Sequence, residues 1–221
     1  MKRLLPWAIL PVLCMGWMSC SHSGKEHSSL PDPRTLDKSV PEYKNPFHPS
    51  TYAHFVARKD YKKTYDIYKD DTLLKRTPKK SRKIFVCLNE QRGQYLVDGL
   101  VAMDFPLSSG VKAYPTKTGD YTVISKKEDH VSNLYGKMYD AEGKCINYNA
   151  ESTDPVPEGG RFDGSPMPYW QRLTNAGLGL HVGKVRRHPI SHGCVRLPRN
   201  VAEILYKQTS IGTPVTIRNT P

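Results

Sequence analysis

Short apolar runs separated by turn residues predict that the chain after residue 80 is mostly β-structure. Residues 84–88 form an uninterrupted apolar run, which is typical of a buried strand. Asp98-Gly99 separates two further runs and is a strong signal for a β-hairpin. The remaining strands are predicted over residues 94–97, 100–103, 121–124, 178–182 and 214–217.

A helix is predicted near the C-terminus. Asn200 can cap its first turn, and Val201, Ile204 and Leu205 recur at the spacing of one helical face. Gly212 is expected to end this element. The pattern as a whole predicts a mainly β (α+β) domain over residues 80–218 with one or two helices.

Two segments precede this domain. Residues 21–50 are polar and rich in proline, so they have little to bury and are predicted to be a flexible linker. Residues 51–79 place aromatic side chains at helical spacings, for example Tyr52 and Phe55. A short helical extension that packs on the domain is therefore predicted, and sugar binding by the aromatic row is the alternative.

Residues 126–168 are rich in glycine and proline and show no sustained period. We expect an irregular insertion there, of the kind that in a compact domain is either functional or disordered.

The N-terminus has the pattern of an export signal. Lys2 and Arg3 precede an uncharged apolar run over residues 4–18, which is shorter than the roughly 20 residues of a membrane-spanning helix. The run ends at Ser19-Cys20. Residues 1–20 thus resemble a bacterial lipoprotein signal peptide, in which Cys20 would be lipidated; cleavage nearby without lipidation is the alternative.

The chain is strongly basic, because 33 Lys and Arg residues against 21 Asp and Glu residues give a net charge of +12. Such a charge suits nucleic acid, anionic lipid or an anionic polymer such as a cell wall, or it is simply a solvated surface. No nucleic-acid-binding motif is present in the sequence, so nucleic acid is not an expected partner.

Three cysteines lie beyond the export signal, and this odd number leaves at least one thiol unpaired. Cys87 and Cys145 could form a disulfide in an oxidising compartment, or both could be free thiols. Cys194 is the third of them.

The segment from His181 to Cys194 is the strongest candidate site, because it combines a thiol with two imidazoles among glycines. In one interpretation Cys194 is an acyl-transfer nucleophile and a histidine is its base, with Gly193 allowing an oxyanion-binding turn. In a second, His181, His192 and Cys194 bind zinc, although a fourth ligand is not evident. In a third, the three residues are structural.

Ser191-His192-Gly193-Cys194-Val195-Arg196, preceded by His181, resembles the signature of the L,D-transpeptidases (YkuD-like domain) of bacterial cell walls. The similarity extends to three other segments, over residues 106–110, 115–121 and 167–181. Two features depart from the family pattern. Only nine residues separate His181 from Ser191, and Arg196 stands where the family pattern has asparagine.

The resemblance implies an L,D-transpeptidase-type, β-sandwich-like catalytic domain that needs no metal or cofactor. Cys194 would be the nucleophile and His181 its base, oriented by the backbone carbonyl of Val182. Backbone N–H groups of His192, Gly193 and Cys194 would form the oxyanion hole, with the His192 side chain in a supporting role.

Other residues of the site are expected to contact the substrate. Arg196 would hold a substrate carboxylate or else pair with a structural acid. Tyr169 and Trp170 would wall the cleft or merely pack. Ser191 is expected to bond the local turn rather than react.

The resemblance implies that the substrates are peptidoglycan stem peptides. Cys194 would form a thioester with the third residue of a tetrapeptide stem and transfer it to an amine, giving a 3→3 cross-link. Hydrolysis as an L,D-carboxypeptidase and attachment of a protein to the wall are alternatives on the same fold. A non-catalytic wall-binding lipoprotein is a further alternative. The expected location is the periplasm or cell envelope, with the membrane contacted through lipid on Cys20.

Overall fold

Strands outnumber helices in the structure, a computed structural model that describes residues 30–76 and 81–221. Asp32–Pro221 forms one compact unit. The predicted signal peptide, Cys20 and the first residues of the predicted linker lie outside the described residues. The mainly β (α+β) fold predicted from the sequence is confirmed.

The described helices are short. They are α1 Tyr52–Ala57, α2 Asp71–Leu74 and α3 Arg199–Gln208. The strands are β1 Tyr68–Lys69, β2 Arg82–Cys87, β3 Arg92–Val97, β4 Leu100–Pro106, β5 Gly119–Thr122, β6 Ser125–Lys127, β7 Val131–Tyr139, β8 Cys145–Glu151, β9 Arg161–Pro166, β10 Trp170–Arg172, β11 Gly179–Val182, β12 Val195–Leu197 and β13 Pro214–Arg218.

The first sheet has the strand order β1-β4-β3-β2-β13-β5. The hairpin predicted at Asp98-Gly99 joins β3 to β4, and both turn residues have positive φ, 52° and 77°. Positive φ at both positions is what a two-residue type I′ turn requires. The inner face of the first sheet contributes Ile84, Tyr95 and Phe105 to the main hydrophobic core.

The second sheet has the order β12-β11-β10-β6, and its pair β11–β12 is parallel. Leu180 and Val195 are register partners and are buried in the main core together with Leu205 of α3. Successive side chains of a strand point to opposite faces. The next register pair, His181 and Arg196, therefore lies on the face away from this core.

The third sheet, β8-β7-β9, occupies most of the region expected to be an irregular insertion. That prediction is wrong for residues 131–139, 145–151 and 161–166, which form strands. Gly136 and Gly164 allow close strand pairing, whereas Gly143, Gly159 and Gly160 lie between the strands. A Cβ built on Gly136 would lie 2.1 Å from the carbonyl oxygen of Asp163 on β9. Register shifts within β7 also break the alternation that would have revealed the strand.

Residues 32–50 differ from the flexible linker predicted over 21–50, because they belong to the same compact unit as the rest. Lys38 Nζ donates to the carbonyl of Val56 at 2.6 Å, and the Tyr43 hydroxyl donates to that of Ala57 at 2.7 Å. These are carbonyls at the end of α1, which have no partner within the helix. Residues 32–50 bury few apolar side chains, and hydrogen bonds from polar side chains attach them to α1 instead.

The predicted helical extension over 51–79 is only partly helical, since α1 and α2 are its described helices. Phe55 and Tyr61 are 8% and 3% exposed and pack edge to face, with ring centroids 5.7 Å apart. The aromatic row therefore packs against its neighbours, and burial of these rings disfavours the sugar-binding alternative.

A buried ion pair joins this extension to the first sheet. Arg92 on β3 and Asp104 on β4 are 1% and 0% exposed at their side chains, with Nε and Oδ1 2.5 Å apart. The other oxygen of Asp104 accepts hydrogen bonds from the hydroxyls of Tyr52 and Tyr61, at 2.7 and 2.8 Å. A carboxylate so satisfied can remain charged in the interior.

Two smaller expectations are also resolved. Cys87 and Cys145 are free thiols, so the disulfide alternative is not what the structure contains. Helix α3 begins at Arg199 with Pro198 as its N-cap, whereas the sequence suggested Asn200. The missed boundary reflects proline's fixed φ, which suits the start of a helix without a side-chain cap.

Replacing Asp104 by Asn is expected to lower the free energy of unfolding by about 3–5 kcal/mol, because Arg92 would keep a buried charge without a partner. Urea denaturation followed by circular dichroism measures this. Asp163→Asn, which removes an exposed pair with Arg161, is the control and should cost less than about 1 kcal/mol. Equal losses in the two variants would contradict the role given to Asp104.

Candidate active site

A cleft of about 640 Å³ lies between the outer face of the second sheet and the third sheet. His181 of β11, Arg196 of β12 and Trp170 of β10 line it from one side, and Cys194 precedes β12. Tyr135 of β7 lines it from the other side. The region expected to be irregular is thus a sheet that forms one wall of the cleft.

The turn before β12 holds Cys194 through its own backbone. Ser191 is 1% exposed, and its hydroxyl donates to the carbonyl of Cys194 and accepts from the N–H of Gly193 at 3.2 Å. Gly193 has φ +109°, a conformation that side chains disfavour. Ser191 therefore organises the turn, in agreement with the role expected of it.

The oxyanion hole expected from three backbone N–H groups is altered by this turn. The N–H of Gly193 is engaged by the Ser191 hydroxyl. Within residues 30–76 and 81–221, the amides of His192 and Cys194 donate to no other group. These two N–H groups are the ones available to an oxyanion.

Two residues that the sequence did not single out support the turn from the neighbouring segment. The Thr116 hydroxyl accepts from the N–H of Gly110 at 2.8 Å and donates to the carbonyl of Gly193 at 2.6 Å. A Cβ on Gly110 would come within 2.8 Å of the Gly193 Cα. Both belong to segments that resemble the family, but only the fold brings them to the turn that holds Cys194.

The thiol of Cys194 is held in a largely buried position. Its Sγ donates to the carbonyl of Gly177 at 3.3 Å. Burial raises the pKa of the thiol, and this outweighs the opposing effects of a hydrogen bond from Gly179 and the charges of Arg196 and Arg172. At neutral pH Cys194 is therefore a neutral thiol that requires a base.

His181 lines the same cleft as Cys194. Its side chain is buried, and Nδ1 donates to the carbonyl of Val182 at 2.7 Å. Donation from Nδ1 leaves Nε2 of the neutral ring as an acceptor. Burial is the main cause that lowers the pKa of His181 to about 4, against the opposite effect of this hydrogen bond. The imidazole is thus neutral, and Val182 orients it as the sequence suggested.

His192 is two residues from Cys194 in sequence, but its ring packs against other partners than His181. Its side chain is exposed and stacks on Tyr135 at a centroid distance of 4.5 Å, with Tyr114 at 4.7 Å. Among the described residues, no group of three or more His, Cys, Asp or Glu side chains could hold a metal ion. The zinc interpretation of His181, His192 and Cys194 therefore has no support in the arrangement of these side chains.

Arg196 is half-buried in the cleft and has no carboxylate partner in the described part of the chain. Gly183 makes room for it, since a Cβ there would lie 2.8 Å from the Cγ and Cδ atoms of Arg196. Three further cations line the cleft: Lys117, Arg172 and Lys184. No Asp or Glu is among the described lining residues, so the cleft is cationic.

Of the two aromatic residues expected at the cleft, Trp170 lines it and Tyr169 does not. Trp170 is 2% exposed and lines the cleft, with its ring 5.9 Å from that of His181 and 4.9 Å from that of His130. Tyr169 is not a lining residue in the described cleft, and its ring packs 5.6 Å from that of Tyr206 on α3. Tyr169 lies in the turn before β10 with φ +56°, whereas Trp170 is the first residue of the strand, so the two side chains leave the backbone in different directions.

His130 and Tyr135 are two aromatic lining residues that the sequence did not predict. His130 stacks on Trp170, and burial lowers its pKa. Both precede or belong to β7, in the region expected to be irregular. No local signal identifies them, because their relation to the cleft depends on how the third sheet folds back.

Known proteins share this catalytic region. A sequence model of the L,D-transpeptidase catalytic domain (YkuD) matches residues 81–217. The chain is 32% identical over 120 residues to a Mycobacterium tuberculosis protein called Probable L,D-transpeptidase 3, and this covers 51% of the chain and 38% of that protein.

Solved structures are similar over comparable lengths. An L,D-transpeptidase from Mycobacterium smegmatis matches 62% of this chain and 58% of its own, with a TM-score of 0.48 and 21% identity. One from Enterococcus faecium matches 63% and 50%, with a TM-score of 0.45 and 26% identity. The chain thus spans well under two thirds of these relatives. Because the family match takes in more than half of its 221 residues, the chain belongs to the family of L,D-transpeptidase catalytic domains.

Proposed function

We propose that the protein is a peptidoglycan L,D-transpeptidase in which Cys194 is the nucleophile and His181 the general base. The observation that carries this proposal is one cleft that holds a neutral thiol and a neutral imidazole, whose Nδ1 is already engaged by Val182. A nucleophile, a base and a group that orients the base are the parts that covalent acyl transfer needs.

In the proposed acylation step, Sγ of Cys194 attacks the carbonyl of the third residue of a tetrapeptide stem while Nε2 of His181 takes the thiol proton. The S–C bond forms, and the C–N bond to the terminal D-alanine then breaks. The amine of the departing D-alanine receives the proton from His181. The N–H groups of His192 and Cys194 are the donors for the oxyanion, and each such donor is worth about 2.7–4 kcal/mol in other enzymes.

In the proposed second step, an acceptor amine attacks the thioester and His181 takes a proton from it. The new amide links the third residues of two stems, and the proton returns to Sγ as the thioester breaks. Water in place of the amine would give hydrolysis, and an amine on a protein would give wall attachment. These outcomes use the same residues and differ only in the acceptor.

The charge of the cleft supports a carboxylate-bearing donor. Lys117, Arg172, Lys184 and Arg196 line it without a described acidic residue. A stem tetrapeptide carries several carboxylates, whereas a cationic donor would be repelled. Arg196 is the cation on the strand beside His181, and we assign it to a substrate carboxylate, which a guanidinium can bind through two parallel hydrogen bonds.

The proposed location is the periplasm or cell envelope, with attachment through lipid on Cys20. The export pattern over residues 1–20 supports it, and the net charge of +12 suits an anionic wall or membrane surface. No described helix has the length and apolar character needed to cross a membrane. A non-catalytic wall-binding lipoprotein would share the location. It would not need a cleft that holds a thiol and an imidazole and is lined by cations without a carboxylate.

Cys194→Ala is expected to abolish the thioester and the 3→3 product while leaving binding to wall fragments intact. Mass analysis of the intact protein and of muropeptides, after incubation with defined tetrapeptide stems, measures both. Cys145→Ser is the matched control, since Cys145 is a free thiol outside the described cleft lining, and it should retain full activity. A 3→3 product formed by Cys194→Ala would refute the assignment of the nucleophile.

His181 is expected to make stability depend on pH, because its pKa is about 4 in the folded protein and 6.5 in the reference state. Between these values the unfolded chain binds a proton that the folded one does not, so stability rises with pH. The gain between pH 4 and 7 is about 3 kcal/mol, since each pKa unit corresponds to 1.36 kcal/mol.

Urea denaturation at pH 4.5 and 7 tests this, with His181→Gln as the comparison. The variant lacks the titrating group and should show a smaller difference between the two pH values. If both proteins change by the same amount, the imidazole is not held neutral by burial.

Arg196→Gln is expected to lower kcat/KM for stem acylation by about 10- to 100-fold, because a hydrogen-bonded contact to a charged group contributes about 1.5–3 kcal/mol. Stability should be little changed, as Arg196 has no described carboxylate partner. Acylation kinetics on tetrapeptide stems measure the loss. The control is Arg199→Gln, at an exposed arginine at the start of α3, which should act as the parent protein does.

A further inference from the structure

The segment that joins the base to the nucleophile is short and is fixed at several points. Nine residues, 182–190, lie between His181 and Ser191. Near the start of this stretch, the N–H of Gly183 donates to the carbonyl of Leu197 at 3.0 Å. At its end, the N–H of Ile190 donates to the carbonyl of Ser109 at 2.9 Å. We call residues 182–190 the connecting segment.

Arg187 is the residue through which the connecting segment reaches the N-terminal extension. One of its terminal nitrogens donates to the carbonyls of Thr64 and Tyr61, at 2.7 and 3.4 Å, and the other to that of Glu90, at 2.7 Å. The guanidinium thus binds two separate parts of the chain. Thr64 and Tyr61 precede residues 81–217, the part that matches the family.

The acceptors of Arg187 are themselves held firmly. Arg92 also donates to the Thr64 carbonyl, at 3.1 Å, and this arginine is the partner of Asp104 in the buried ion pair. The carboxylate of Glu90 pairs with Arg34 at 3.1 Å. Arg187 therefore joins residues 182–190 to the buried network of Arg92 and Asp104, which also holds the extension on the first sheet.

Stability is a poor explanation for this arrangement. Arg187 has φ +55°, a left-handed conformation that is unfavourable for a residue with a side chain. Its Nε is buried and has no hydrogen-bond partner in the described structure. Burial, followed by the nearby charge of Arg92, lowers its pKa. These costs offset much of the gain from three hydrogen bonds.

We propose that Arg187 is a positioning residue, which holds the connecting segment on the N-terminal extension and thereby fixes His181 and Cys194 relative to each other. The extension is then part of the catalytic unit, although it lies outside the family match. This inference rests on the proposed function, because it assigns a purpose to the relative position of those two groups. A misplacement of reacting groups by about 1 Å can cost about 100-fold in rate.

Arg187→Met is the test, with Arg34→Met as the matched control. Arg34 belongs to the same network, through Glu90 and the hydroxyls of Tyr52 and Tyr61, but within the described residues it makes no hydrogen bond or ion pair to the connecting segment. Thermal unfolding and far-ultraviolet circular dichroism establish that each variant is folded. We expect kcat for stem acylation to fall about 10- to 100-fold in Arg187→Met with KM little changed, and to stay within about 3-fold in Arg34→Met.

Two further measurements separate positioning from stability alone. Ethylguanidinium at millimolar concentration should restore part of the rate of Arg187→Ala, because it can occupy the vacated site. Alkylation of Cys194 by iodoacetamide, followed by peptide mass analysis as a function of pH, reports the surroundings of the thiol without any stem. The midpoint, which is the pH at which alkylation is half-maximal, should fall in Arg187→Met, towards the value of an ordinary thiol, because a loosened segment lets water reach Sγ.

The outcomes distinguish this inference from the proposed function. If the parent protein is not acylated by stems but the alkylation midpoint still moves in Arg187→Met alone, the proposed function fails and the positioning role stands. If Arg187→Met and Arg34→Met lose activity equally and their midpoints match the parent's, Arg187 acts only through stability and the inference is overturned. A fully active Arg187→Met would overturn it as well.

Discussion

The parallel pairing of β11 with β12 is the constraint on which the candidate site depends. Burying Leu180 and Val195 on one face sends their register neighbours, His181 and Arg196, to the other. A slip of one residue would reverse the faces, so the same hydrophobic contacts that stabilise the core specify where the reactive groups lie. Parallel strands need a crossover of about a dozen residues, and here residues 183–194 form it and include Cys194, the proposed nucleophile.

Burial has opposite consequences for the two reactive groups of the cleft. It lowers the pKa of His181 and raises that of Cys194, so the resting pair is neutral. The charges of Arg196 and Arg172 act in the opposite direction and lower the pKa of Cys194, but burial outweighs them. In the proposed mechanism the same cations would bind substrate carboxylates and stabilise the thiolate as the proton leaves.

The sequence predicted those features that depend on local patterns. The hairpin at Asp98-Gly99 and the strand that carries His181 follow from turn chemistry and apolar runs. Cys194 was recognised because it shares a short glycine-rich segment with two histidines. The third sheet was missed because bulges and close-pairing glycines such as Gly136 obscure its period. Thr116 could not be recognised either, since its hydroxyl reaches Gly193 across 77 positions of the chain. Contacts of this kind are set by tertiary structure.

Two features noticed in the sequence are connected in the structure: the short stretch between His181 and Ser191, which departs from the family pattern, and the extension that precedes residue 80. A crossover close to the minimum length has little slack, so displacement of its centre moves both of its ends. Its centre carries a left-handed residue, Arg187, and such a conformation persists only where the surroundings enforce it. The carbonyls of the extension provide that enforcement, and Asp104 secures them through Arg92. The extension and the short crossover therefore form one structural unit beside the cleft.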